Sequence, residues 1–83
     1  MSLVKNIRVE YFALFREQRG VQAETVTTAA GDLRALYAEL AKAHGFSLPV
    51  ERVRVAVDDE FVEWDAALRP DATVVFIPPV AGG

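Results

Sequence analysis

Eighty-three residues, 52% hydrophobic and 25% charged, are enough for one globular core and too few for a second. The absence of cysteine excludes disulfides, thiolate metal sites and a cysteine nucleophile, and fits a reducing compartment. The net charge is −3, and seven arginines and two lysines are scattered along the chain, so there is no basic footprint for nucleic acid. The opening MSLVKNIRVE lacks the apolar run of a signal peptide. No stretch approaches the roughly 18 apolar residues of a membrane span. The expected location is the cytoplasm, with no nucleic-acid or membrane partner.

Asn6 to Phe12 (NIRVEYF) alternate, with Ile7, Val9 and Tyr11 on one side and Arg8, Glu10 and Phe12 on the other. That is the pattern of a strand with one buried face. ALFREQRG breaks the alternation and closes on Gly20, which predicts a helical turn or loop. Val21 to Thr27 (VQAETVT) is rich in β-branched residues and predicts the returning strand of a hairpin-like pair. Asp32 is placed to cap a helix over 33–44, in which Leu33, Leu36, Tyr37, Leu40 and Ala41 form one apolar stripe. Gly45 is its natural stop. In RVRVAVD, Val53, Val55 and Val57 alternate with Arg52, Arg54, Ala56 and Asp58 and predict a third strand. The acidic turn Asp58-Asp59-Glu60 leads to a short strand over Phe61 to Trp64. DAALRPDA is a connector with a turn at Pro70-Asp71. Thr73 to Ile77 (TVVFI) is almost continuously apolar, as in a strand at the middle of a sheet.

One striped helix and several one-faced strands predict a two-layer α+β domain. The last strand is expected beside the first and parallel to it, with the helix in the crossover between them. This is the β-grasp, or ubiquitin-like, architecture: a mixed sheet of four to five strands with one main helix across one face. Residues 1–77 are expected to form the domain, and 78–83 an extended tail ending in Gly-Gly.

The residues do not assemble an ordinary active site. His44, the single histidine, has no second ligand to make a metal site with, and suits the negative end of the helix dipole. The acidic turn lacks the spaced ligands of a calcium loop and reads as solvated. Trp64 reads as core packing. Phosphate-binding glycine loops and the G-x-S-x-G pattern are missing. If Ile7, Val9, Tyr11, Val53, Val55, Val57, Val74 and Phe76 face the helix, the far face carries Arg8, Glu10, Arg54 and Ala56 toward solvent. It also carries Phe12, Val75 and Ile77, with Phe61 nearby: an apolar patch rimmed by charge, which marks a partner surface unless loops cover it.

Pro78-Pro79 favours an extended course that aims the chain off the sheet. Val80 to Gly83 then span at most roughly 13–14 Å, at about 3.3–3.6 Å per residue. Glycines remove side chains from that route, so a narrow channel in another protein can admit the backbone and its carboxylate. The chain has no nucleotide site with which to activate that carboxylate, so the chemistry is expected to lie in partners.

YFALFRE followed by Gly20, VAVDDEFVEWD and the ending VVFIPPVAGG resemble the small, sulfur-carrier subunit of molybdopterin synthase, the MoaD type. The similarity covers nearly the whole chain. PPV with terminal GG is its more specific part, since bare GG on a β-grasp is shared more widely. The resemblance implies that an E1-like adenylating enzyme activates the C-terminal glycine with ATP, and that a sulfur donor converts it to a thiocarboxylate. The tail then enters the large subunit of molybdopterin synthase and delivers sulfur to cyclic pyranopterin monophosphate, within a heterotetramer. The chain itself would bind no cofactor and catalyse nothing alone. By position, Gly83 would bear the sulfur, and Pro78, Pro79, Val80, Ala81 and Gly82 would form the arm. Phe12, Arg16, Phe61 and Ile77 fall where the family contacts partners; Val75 joins them through the far-face argument. Asp58 stands where the family often has asparagine, and Ala81 where threonine is frequent. The alternatives are a carrier for thiazole or cysteine synthesis, a protein modifier joined through Gly83, and a β-grasp interaction module whose tail has no role.

Overall fold

A computed structural model describes residues 4–79. The first strand, β1 (Lys5–Tyr11), buries Ile7, Val9 and Tyr11 and pairs antiparallel with β2 (Ala23–Thr28). Between them lies α1 (Leu14–Arg19), a short helix where a helical turn or loop was expected. A helix of six residues is too short to persist alone. This one is anchored by Phe15, which is 0% exposed and packs edge-on to Tyr37, Phe46 and Phe76. It stops at Gly20, whose φ of 89° is left-handed and whose N–H donates to the Arg16 carbonyl at 2.8 Å.

The main helix, α2 (Leu33–His44), has the predicted bounds. The Asp32 carboxylate accepts from the Ala35 amide at 2.8 Å. The next free amides are also satisfied: Leu33 donates to the Ala66 carbonyl and Arg34 to that of Trp64. At the far end Gly45 is left-handed and donates to the Ala41 carbonyl at 2.8 Å. Leu33, Leu36, Tyr37 and Leu40 bury the stripe against the sheet.

After a 3-10 turn (Val50–Arg52), β3 (Arg54–Val57) and β4 (Glu60–Val62) form a hairpin. Asp58 and Asp59 both have positive φ, 49° and 72°, as a tight two-residue turn demands. The final strand, β5 (Thr73–Ile77), lies between β1, to which it is parallel, and β3, to which it is antiparallel. The sheet order is β2-β1-β5-β3-β4, the β-grasp arrangement. Six aromatic side chains (Tyr11, Phe15, Tyr37, Phe46, Trp64 and Phe76) form a chain of ring contacts between sheet and helix.

Several details differ from the expectations. The third strand begins at Arg54, two residues late, because the 3-10 turn takes Arg52 and its cap Val53. The fourth strand ends at Val62; Trp64 has left the ladder to donate its indole N–H to the Val53 carbonyl at 3.2 Å. Ala56, expected toward solvent, is only 9% exposed. It lies in register between Val75 and Phe61, whose larger side chains cover its methyl group. The acidic turn is exposed, as a solvated turn would be, yet it also fastens the sheet. The Asp58 amide donates to the Thr73 carbonyl at 2.9 Å, and its carboxylate accepts from the Thr73 amide at 3.0 Å.

Candidate functional site

Because β5 is central, its far-face residues sit in the middle of two cross-strand rows. One row runs Glu10, Val75, Ala56, Phe61; in the next, Ile77 stands opposite Arg54. Phe12, one residue beyond β1, and Phe61, on β4, are 54% and 60% exposed, while Val75 and Ile77 are half-buried. Exposed aromatics on either side of one strand end are costly to leave wet.

The strand leaves the sheet as a ridge of Ile77, Pro78 and Pro79 between two open hollows. One, about 480 Å³, is walled by Phe12, Ala13, Leu14 and Leu48, with Glu17 at its rim. The other, about 560 Å³, is walled by Val53 and Phe61, with Glu51, Arg52 and Arg54 around it. The Arg54 guanidinium lies over the exposed Phe61 ring, 4.4 Å from its centre. Of the residues singled out from the sequence, Phe12, Phe61, Ile77, Pro78 and Pro79 are thus brought together. Val75 lies in the adjoining row, whereas Arg16 is exposed on α1 and lines neither hollow. Val80, Ala81, Gly82 and Gly83 fall outside the described residues. Leu48 and Glu17 were missed: Leu48 sits in a loop with no periodicity, and Glu17 belongs to a helix too short to read.

The first hollow keeps its shape because both walls are tied. Gln18 of α1 donates to the Ser47 hydroxyl at 2.9 Å and accepts from the Ser47 amide at 3.3 Å, joining α1 to the loop that carries Leu48. At the end of α1, Arg19 grips Glu24 of β2 with two hydrogen bonds of 2.8 Å. Tyr11 donates to the same carboxylate at 2.6 Å, and His44 Nε2 stands 4.0 Å from it. Arg19 above all, against a desolvation that works the other way, lowers the Glu24 carboxyl to a pKa of about 2. Burial, reinforced by Glu24, raises the Tyr11 hydroxyl well above the ordinary tyrosine range. His44 occupies the last turn of α2, as the helix dipole favours.

Among the described residues no three histidine, aspartate or glutamate side chains gather to hold a metal, and every buried side-chain nitrogen and oxygen has a partner. Nor is any helix among them long and apolar enough to cross a membrane. What the arrangement can do is present a strand end, flanked by hollows, to another protein.

The model of the ThiS family matches residues 9–83. No curated protein matches the chain. Among solved structures, a Pyrococcus furiosus protein provisionally described as subunit 1 of molybdopterin converting factor is 30% identical, with a TM-score of 0.76, over 92% of this chain and 99% of its own. The small archaeal modifier protein 1 of Haloferax volcanii is 20% identical, with a TM-score of 0.76, over 92% and 99% of the two chains. A complex of subunits 1 and 2 of the molybdopterin-converting factor of Helicobacter pylori contains a chain 24% identical, with a TM-score of 0.63, over 94% and 99%. The chain belongs to the ThiS family and is a MoaD-like carrier on the ubiquitin-like fold.

Proposed function

We infer that this protein is the sulfur-carrier subunit of molybdopterin synthase. The observation that carries the reading is the exit of the central strand as an apolar ridge, with a hollow on each side and an exposed phenylalanine beside each. An inert module has no need to leave such surface wet at the end of its most buried strand. The 30% identity to the Pyrococcus furiosus protein, over nearly the whole of both chains, points to the molybdopterin pathway among the uses of this fold.

In this reading the Gly83 carboxylate attacks the α-phosphate of ATP on an E1-like adenylating enzyme, and pyrophosphate leaves. The carboxylate alone is a resonance-stabilised anion with an ordinary pKa near 3.3–3.7 and carries no sulfur. Once one oxygen belongs to an adenylate leaving group, a sulfur donor's persulfide displaces AMP to give an acyl disulfide, and a second thiol attacks the donor-side sulfur of that bond, releasing the thiocarboxylate and leaving the donor as a disulfide. The hollows dock the large subunit while the tail enters it and delivers sulfur to cyclic pyranopterin monophosphate. The chain supplies the arm and the docking surface; the partners supply catalysis and ATP.

The test combines the protein with the adenylating enzyme, ATP and a sulfur donor, weighs it intact, and then adds the large subunit and the pterin. The expected result is the mass gain of replacing one oxygen by sulfur, followed by pterin conversion. A chain lacking Gly83 is expected to fold and dock yet gain no sulfur, since its arm is shorter by about 3.3–3.6 Å and a misplacement of about 1 Å costs roughly a hundredfold in rate. Sulfur loading without pterin conversion would assign the carrier to another pathway. Equal loading of the full-length and shortened chains would end the carrier reading.

A further inference from the structure

The two hollows are alike in size and apolar lining but opposite in charge. Glu17 is the single charged residue of the first, whereas the second has Arg52 and Arg54 against one acid, Glu51. Arg54 is occupied with the Phe61 ring. Glu17 and Arg52 are exposed, and among the described residues their side chains have no hydrogen-bond or ion-pair partner. The ridge of Ile77, Pro78 and Pro79 runs between them and lines both hollows. An approaching surface therefore meets a negative rim on one side of the tail and a positive rim on the other.

We propose that the docking partner is a single protein surface that straddles the ridge with one apolar prong in each hollow. It carries a basic residue facing Glu17 and an acidic residue facing Arg52, so that charge fixes which way round it binds. A tail that must enter a channel end-on benefits from this, because the opposite orientation sets like charges against each other on both sides at once. The apolar prongs hold the complex; the two rims steer and orient it. The choice of partner rests on the carrier reading above.

Glu17→Lys and Arg52→Glu test the proposal, singly and together, with association rates to the large subunit of molybdopterin synthase measured at low and high salt. The single variants shift net charge in opposite directions, and the double variant leaves it at −3. Steering by two complementary rims predicts that both single variants associate about fivefold to tenfold more slowly at low salt, the double variant more slowly still, and that the differences shrink as salt screens them. Thermal midpoints are expected to stay at the wild-type value, because neither side chain holds the fold. Effects of opposite sign in the two single variants would show that net charge governs association, and would overturn the proposal. So would unchanged rates in all three. If the wild-type chain binds the adenylating enzyme but not the large subunit, the molybdopterin reading fails, and the same variants measured against the adenylating enzyme decide the proposal.

Discussion

Glu24 ties three elements together through one side chain. Its carboxylate joins β2 to α1 through Arg19, to β1 through Tyr11, and stands within 4.0 Å of His44 on α2. The depressed pKa fixes the sign of its contribution. In the unfolded chain the group titrates near 4.5 and in the fold near 2, so the stabilisation is complete above about 4.5 and is lost as pH falls through about 2. Glu24→Gln keeps the shape and removes the charge. It is expected to cost about 1.5–3 kcal/mol at neutral pH, the range for a hydrogen bond to a charged group. Urea midpoints from neutral pH down to the acid limit should show a smaller acid-side decline in the variant than in wild type. Tyr11 works in the other direction: its raised pKa keeps the hydroxyl protonated in the fold, so its contribution holds below 10.0 and falls as pH rises beyond it. Neither effect was legible in the sequence, where Tyr11 read only as a core position and Glu24 as one polar residue of a strand.

At the scale of elements, the parts that read clearly are those whose signal is local and repeated. The stripe and caps of α2 gave its bounds, alternation placed β1 and the core of β3, and a nearly continuous apolar run placed β5. The parts that did not read depend on distant contacts. Phe15 makes α1 a helix by entering the core beside Phe46 and Phe76, and no local periodicity announces that. Trp64 shortens β4 by reaching back to the Val53 carbonyl. The hollows are the extreme case, since Leu48, Glu17 and Ile77 come from three separate parts of the chain. The β3–β4 turn offers a test at this scale. Asp59 holds a left-handed backbone at φ 72°, where a side chain costs about 1–2 kcal/mol and glycine nothing. Asp59→Gly is therefore expected to raise stability by about 0.5–1 kcal/mol, glycine's extra unfolded-state entropy offsetting part of the gain. Denaturant titration with an unchanged m-value is the check.

For the whole molecule, the two faces of the sheet have separate duties in the proposed reading: one packs the helix and the other meets partners. Phe12 belongs wholly to the second, so Phe12→Glu is expected to spare the fold while weakening the partner complex by about 2 kcal/mol or more, as for an aromatic anchor at an interface centre. Calorimetric titration beside thermal melting separates the two effects; a collapsed melting point with unchanged affinity in the folded fraction would reassign Phe12 to the core. The place of β5 between two neighbours has a mechanical side as well. A pull on the chain beyond Pro79 acts along the strand axis and loads the ladders to β1 and β3 together in shear. The edge strand β4, by contrast, has a ladder on one side alone to share such a load. A partner that grips the tail and later releases it can therefore tug hard on the arm while the body stays folded, the load being shared along both sides of its central strand.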